Sequence, residues 1–192
     1  MKFRKAFSVG NFILEFVQSI VLALSVFVLL YLFVAQPNQV KGSSMDPNFD
    51  DGEYLLTDKL SYQFGEPQRG DVVVFKAPPT EPCAEDECEY IKRVIGLPGD
   101  VVMVENGLVY LNGDLLEQSF LPEDFVSDSG SYCKEGVAVQ VPEGEYLVFG
   151  DNRSHSRDGR EFGPIPMSLI VGKAFFKYWP INGMGLIPTV RL

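Results

Sequence analysis

Apolar positions along the chain fall into two regimes. Residues 16–35 run for twenty positions without a charge, dominated by Val, Leu, Phe and Ile. As a helix rising ~1.5 Å per residue, such a run spans the ~30 Å hydrocarbon core of a bilayer. It predicts a transmembrane helix over 12–35, preceded by a short segment 1–11 and followed by a large domain 36–192. A cleavable signal peptide is the main competing reading, and a buried helix another. Signal-peptide apolar regions are usually only ~7–15 residues and end in small residues, whereas this run is longer and leaves through AQPNQVKG. Lys2, Arg4 and Lys5 precede the run; Asp46, Asp50, Asp51 and Glu53 follow it, opposed only by Lys41. The positive-inside rule then places the N-terminus in the cytoplasm and the domain on the outer side of a cell membrane, single-pass.

Beyond residue 53 the pattern changes to short runs of alternating or continuous apolar residues between turn formers. EYLLTD, DVVVFK, YIKRVIG, DVVMVE, LVYLN, VAVQV, EYLVFG and GKAFFKYW read as strands. Asn106-Gly107 and Asn112-Gly113 are tight-turn signals that suggest a small meander. PMSLIVG is ambiguous, and no long 3.6-residue period competes. The expected fold is mainly β, a coiled antiparallel sheet or barrel-like domain after one N-terminal helix. Two stretches read as surface loops, about 77–89 and about 117–136, both with acids and turn residues.

Charge and cysteines narrow the partners. The formal net charge of -10 argues against nucleic acid, whose phosphates need a basic face. The three cysteines, Cys83, Cys88 and Cys133, all lie in the part read as exported, where a disulfide is permitted. The sequence does not choose the pair, and metal binding would need more ligands.

Candidate chemistry begins at VKGSSMDPNF, where Ser43 and Ser44 sit together without an obvious base. His155, the single histidine, lies in GDNRSHSRDGR near Asp151 and Asp158, a set of groups suited to a Ser-His-Asp arrangement. A histidine in such a polar loop is ordinarily a surface residue. Lys92, in YIKRVIGLPGD, shares a strand face with Tyr90 and Val94. Burial among such neighbours disfavours the ammonium, and a neutral amine accepts a serine proton. A strand lysine by itself is more commonly a snorkelling surface residue.

Taken together and in order, GSSMDPNF, RGDVVVF, IKRVIGLPGD and GDNRSHSRDGREFGPIP behind an N-terminal span resemble the type I signal peptidase family, membrane-bound Ser-Lys proteases. The resemblance covers the span and nearly all of the domain apart from the cysteine-bearing loops. It implies that Ser44, directly before Met45, is the nucleophile and Lys92 the general base. It further implies that Ser156 orients the lysine amine, that Asp158 and Arg160 support the site, and that Asp151 pairs with Arg93. For Arg153 and Arg157 a structural ion-pair loop is the preferred reading. Gly42 stands where some members carry a serine that helps bind the oxyanion, so that contact is expected from backbone, chiefly the Ser44 N–H. Asn48 replaces a common threonine, with only a local packing consequence expected, and Met45 is expected to be structural, lining the cleft.

The implied reaction is acyl transfer through an acyl-enzyme on signal-peptide-bearing preproteins, needing neither cofactor nor metal. A monomer on membrane lipid is expected. The late run FFKYWPINGMGLIP reads either as an apolar surface resting on headgroups or, with slightly more weight, as a terminal strand packed in the core. An inactive anchored β-domain, a Ser-His enzyme and a soluble self-cleaving repressor are the rival readings.

Overall fold

The computed structural model describes residues 9–82, 88–122, 125–190 and 192. Helix α1 (Val9–Phe33) carries a stretch, Gly10–Leu29, long and apolar enough to cross a membrane, and its side chains there are exposed along their length. The Ser19 and Ser25 hydroxyls donate to the carbonyls of Glu15 and Val21, four residues back, so both polar groups are satisfied by the helix itself. The basic residues used to orient the span, Lys2, Arg4 and Lys5, lie outside the described residues.

The helix ends two residues earlier than the sequence pattern implied. Ala35 already belongs to strand β1 (Ala35–Gln39). The strands that follow are β2 (Tyr54–Asp58), β3 (Val72–Lys76), β4 (Glu89–Gly96), β5 (Val101–Glu105), β6 (Leu108–Leu111), β7 (Asp114–Leu115), β8 (Val139–Gln140) and β9 (Glu145–Phe149). A four-residue helix α2 (Gly159–Phe162), then β10 (Ile165–Pro166), β11 (Ile170–Trp179) and β12 (Gly185–Leu186), complete the chain. The ambiguous PMSLIVG divides into a helical turn, Met167–Leu169, and the start of β11.

All pairing is antiparallel. One sheet runs β1-β2-β11-β3-β4-β9-β10 with β12 beside β11; the other runs β7-β6-β5-β8. Register shifts in β11 against both neighbours, and in β4 against β9, bend the larger sheet. In the smaller sheet Asn106 and Asn112 take φ of 52° and 54° with glycines at 79° and 94° after them, the left-handed pairs that a two-residue hairpin requires.

Val102, Val104 and Val109 of the small sheet pack with Ile95, Leu147 and Phe149 of the large one in a single buried cluster, which also contains Cys133. A second cluster holds Val40, Met45, Phe49, Leu55, Val72 and Ala174. Met45 is structural, as expected, but as a fully buried core residue rather than a cleft wall, and its burial fixes the turn that carries Ser44. Cys88 is disulfide-bonded and Cys133 is a free, buried thiol, which removes pairings through Cys133; Cys83 lies outside the described residues.

Trp179, Ile181, Met184 and Leu186 are 51, 67, 51 and 78% exposed. The terminal run therefore packs only as far as the body of β11, and its end is an apolar surface, against the weight given above to a packed strand. The reason is topological: β12 folds back over only two β11 residues, Phe176 and Lys177, and nothing among the described residues covers the turn beyond.

Candidate active site

Ser44 sits in the turn between β1 and β2, closed by Asp46 N–H to Ser43 O and Phe49 N–H to Met45 O. Met45 and Phe49 bury the inner side of that turn, leaving Ser44 half-buried and Ser43 exposed. Gly42, with φ at 81°, adopts backbone that an L side chain rarely takes, and its N–H donates to Asp51. From the loop after β9, the Asn152 side chain donates to Ser43 O and its backbone N–H to Ser44 O, so a third segment holds the serine pair by its carbonyls.

Lys92 enters from the middle of β4. Its Nζ lies 2.8 Å from Ser44 Oγ and 2.9 Å from Ile91 O, with the Tyr90 ring centroid at 5.6 Å. The side chain is buried, and loss of hydration pulls its pKa from 10.5 down to about 8, although Asp158 and Asp151 act in the opposite direction. Alternation on β4 pointed to an apolar setting for this lysine, and the strand bears that out.

The expected bond from Ser156 to the amine is absent. Ser156 Oγ is buried and has no hydrogen-bond partner among the described residues; it is lodged against Gly150, where an added Cβ would sit 2.1 Å from it and 2.5 Å from Ser44 O. The amine folds back on its own strand instead, so the Ile91 carbonyl, not Ser156, orients it.

Asp151 and Arg93 form the expected pair, two-pronged at 2.9 and 2.7 Å, both buried. Asp158 caps α2 through Arg160 N–H, pairs with the Arg160 guanidinium, and accepts from Gly150 N–H, locking the loop on which Ser156 rides. Arg157 pairs with Glu81 at 2.6 Å, as expected of a structural ion pair.

Arg153 differs from that expectation. It is buried, donates to Gly150 O and Ser127 Oγ, lies over the Phe149 and Phe120 rings, and forms no ion pair among the described residues. Burial lowers its pKa to about 10. Aromatic faces and two oxygens replace a carboxylate partner.

Sequence reasoning also missed Asn48. Its Nδ2 donates to Asp151 Oδ2 at 2.8 Å and to Phe120 O at 3.1 Å. Through Asp151 and Arg93 this joins the turn bearing Ser44 to the strand bearing Lys92, and through Phe120 to the 117–136 loop. The only signal was the departure from threonine, read as packing.

His155 is exposed, and its Nδ1 lies 2.9 Å from Ser154 Oγ, with no hydrogen bond to Ser43 or Ser44 among the described residues. Among the described residues no group of three or more His, Cys, Asp or Glu is placed to hold a metal.

A cleft of about 700 Å³ opens beside Ser44 and Lys92, walled by β1 on one side and Glu89–Ile91 of β4 on the other. Among the described residues β1 pairs only with β2, and β4 meets β9 only from Arg93 onward, so both walls present strand edges with no described partner. Such edges accept an extended peptide. The fold and site define a serine-type peptidase.

Comparison of the sequence with known proteins gives the same result. The family described as signal peptidase, peptidase S26, matches residues 13–179. A probable signal peptidase I-2 of Synechocystis is 34% identical over 91% of this chain and 77% of its own. A signal peptidase IB of Staphylococcus aureus is 36% identical over 88% of this chain and 91% of its own. The crystal structure of a signal peptidase I from Enterococcus faecalis is 32% identical, with a TM-score of 0.45, covering 57% of this chain and 97% of that one. The chain belongs to the signal peptidase family, peptidase S26.

Proposed function

We propose that the protein is a membrane-anchored endopeptidase that removes signal peptides from exported preproteins with a Ser44–Lys92 dyad. The observation that carries this reading is the 2.8 Å approach of a buried, weakly basic amine to the Ser44 hydroxyl beside a two-edged cleft. In its neutral form Lys92 accepts the Ser44 proton as Oγ attacks the scissile carbonyl; the ammonium then passes that proton to the leaving amine, and an acyl-enzyme remains. Water, deprotonated in turn by Lys92, attacks the ester and frees the new carboxylate and Ser44. The Ser44 N–H, which donates to no described residue, serves the oxyanion.

Substrate binds extended between the β1 and β4 edges, its small side chains at -1 and -3 facing Val40, Leu55 and Ile91. Anchoring by α1 suits the task, since Ser44 lies eleven residues past Phe33, the end of α1, and so within roughly 40 Å of it. The exposed apolar group at Trp179, Ile181, Met184 and Leu186 rests on lipid headgroups, with the domain on the outer face.

The test is incubation of the detergent-solubilised full chain with a preprotein and sequencing of the new N-terminus. One cut directly after a small residue, abolished in Ser44→Ala, is expected. No cut, or an unchanged cut by Ser44→Ala, contradicts the reading.

A further inference from the structure

Three polar side chains bridge the walls of the cleft and take no part in the acyl-transfer chemistry. Glu89, the first residue of β4, accepts from Gln36 Nε2 at 3.3 and 3.1 Å on its two oxygens, and from Asn38 Nδ2 at 2.5 Å. Gln36 and Asn38 stand two apart on β1 and therefore share one of its faces. The Asn38 amide is fixed in orientation. Its oxygen accepts from the hydroxyl of fully buried Thr57 at 2.8 Å, which commits the NH2 to the cleft side. The carboxylate thus lies among the cleft-lining residues, between two strand edges that have no partner among the described residues.

We infer that Glu89, with Gln36 and Asn38, forms a polar subsite upstream of the scissile bond, one that takes a hydrogen-bond-donating side chain and disfavours an acidic one. The inference rests on the endopeptidase reading. Glu89 precedes Lys92 by three residues, which at ~3.3 Å per residue is ~10 Å along the strand. Val40 and Ile91 stand in sequence between this triad and the dyad, so the acyl side of the substrate, with its small residues, runs toward Glu89. The triad is then level with substrate position -4, with -5 in side-chain reach.

The chemistry follows from the donor and acceptor inventory. An ionised carboxylate only accepts, and it has room for more bonds than two amides supply. Gln36 makes the longer, shared contacts, so a substrate hydroxyl, amide or ammonium replaces it at little cost. A substrate carboxylate meets like charge and offers no donor, which rejects it. Three cations act in the opposite sense: Lys41 and Arg157 line the same cleft, Arg157 already paired with Glu81, and Lys76 stands opposite Glu89 in the β3–β4 register. The sign of the preference therefore reports which group the substrate meets.

The experiment measures kcat/KM of the detergent-solubilised full chain on one preprotein whose residue at -4, and separately at -5, is Ser, Lys, Ala or Glu. Wild type, Glu89→Gln and Glu89→Ala are compared, with thermal melts to establish folding and ratios taken within each enzyme. At one of the two positions wild type is expected to prefer Ser and Lys over Glu by on the order of 5- to 10-fold. Glu89→Gln is expected to lose the bias against Glu while still favouring Ser, and Glu89→Ala to lose both preferences. A flat series in wild type, a preference for Glu, or a bias unchanged in both folded variants overturns the subsite while leaving the endopeptidase reading intact. Failure of wild type to cut the Ala substrate overturns both.

Discussion

Lys92 Nζ and Ser44 Oγ, forty-eight residues apart in sequence, meet at 2.8 Å in a setting where the lysine is only 4% exposed. Desolvation is the dominant cause of its depressed pKa of about 8. As the proposed base, Lys92 must be deprotonated to act, so kcat/KM is expected to rise with pH through an apparent pKa near 8 and to fall about tenfold per unit below it. A pH–rate profile on a preprotein checks this; a rate unchanged from pH 8 to pH 6 would contradict it.

The same shift bears on stability. The folded pKa lies below the ordinary 10.5, so the folded state disfavours the ammonium. Stability is fullest above 10.5 and is lost as pH falls toward 8, where the penalty reaches roughly 3 kcal/mol. Lys92→Met removes the penalty without leaving a cavity. Its melting temperature is expected to exceed wild type by roughly 5–10 °C at pH 7, with the gap narrowing toward pH 10. A constant gap would show that the lysine is not buried as a reluctant cation.

Asn48 ties the turn of Ser44 to Asp151, and Asp151 holds Arg93 beside Lys92. Asn48→Ala is expected to lower kcat by ~10- to 100-fold through misplacement of the proposed dyad, with KM nearly unchanged. Asn48→Thr, which keeps one donor, should fall between. Steady-state kinetics separate this from general destabilisation, which lowers the active fraction without the rescue by threonine.

Cys133 is fully buried, and desolvation raises its pKa to about 12. A thiolate is the reactive form, so the folded, unreduced protein is expected to resist maleimide at neutral pH. On denaturation without reductant the label should appear at Cys133 and not at Cys88. Mass spectrometry of the labelled peptides reads the result.

The strands were legible where their residues alternate or form apolar runs: β2, β3, β5, β6, β8 and β9 lie within stretches singled out by pattern, and β4 and β11 for all but their first one and two residues. β1 was not, because Ala35–Gln39 is polar and contains Pro37; it is held by pairing with β2 and has no apolar face to announce it. Lys92 was legible because strand alternation and motif agree. Ser156 was not placed correctly, because a motif names residues in order while the amine's choice of Ile91 O depends on a side-chain path. Asn48 and Arg153 escaped for a related reason. Their partners lie 103 and 26 residues away, at Asp151 and Ser127, beyond any local pattern.

The most direct measurement of the central claim is preprotein cleavage by wild type, Ser43→Ala, Ser44→Ala, Lys92→Ala and His155→Ala, each verified as folded. Loss of cleavage in Ser44→Ala and Lys92→Ala alone, with Ser43→Ala and His155→Ala still active, is the result expected. An inactive His155→Ala beside an active Lys92→Ala would contradict the Ser44–Lys92 dyad.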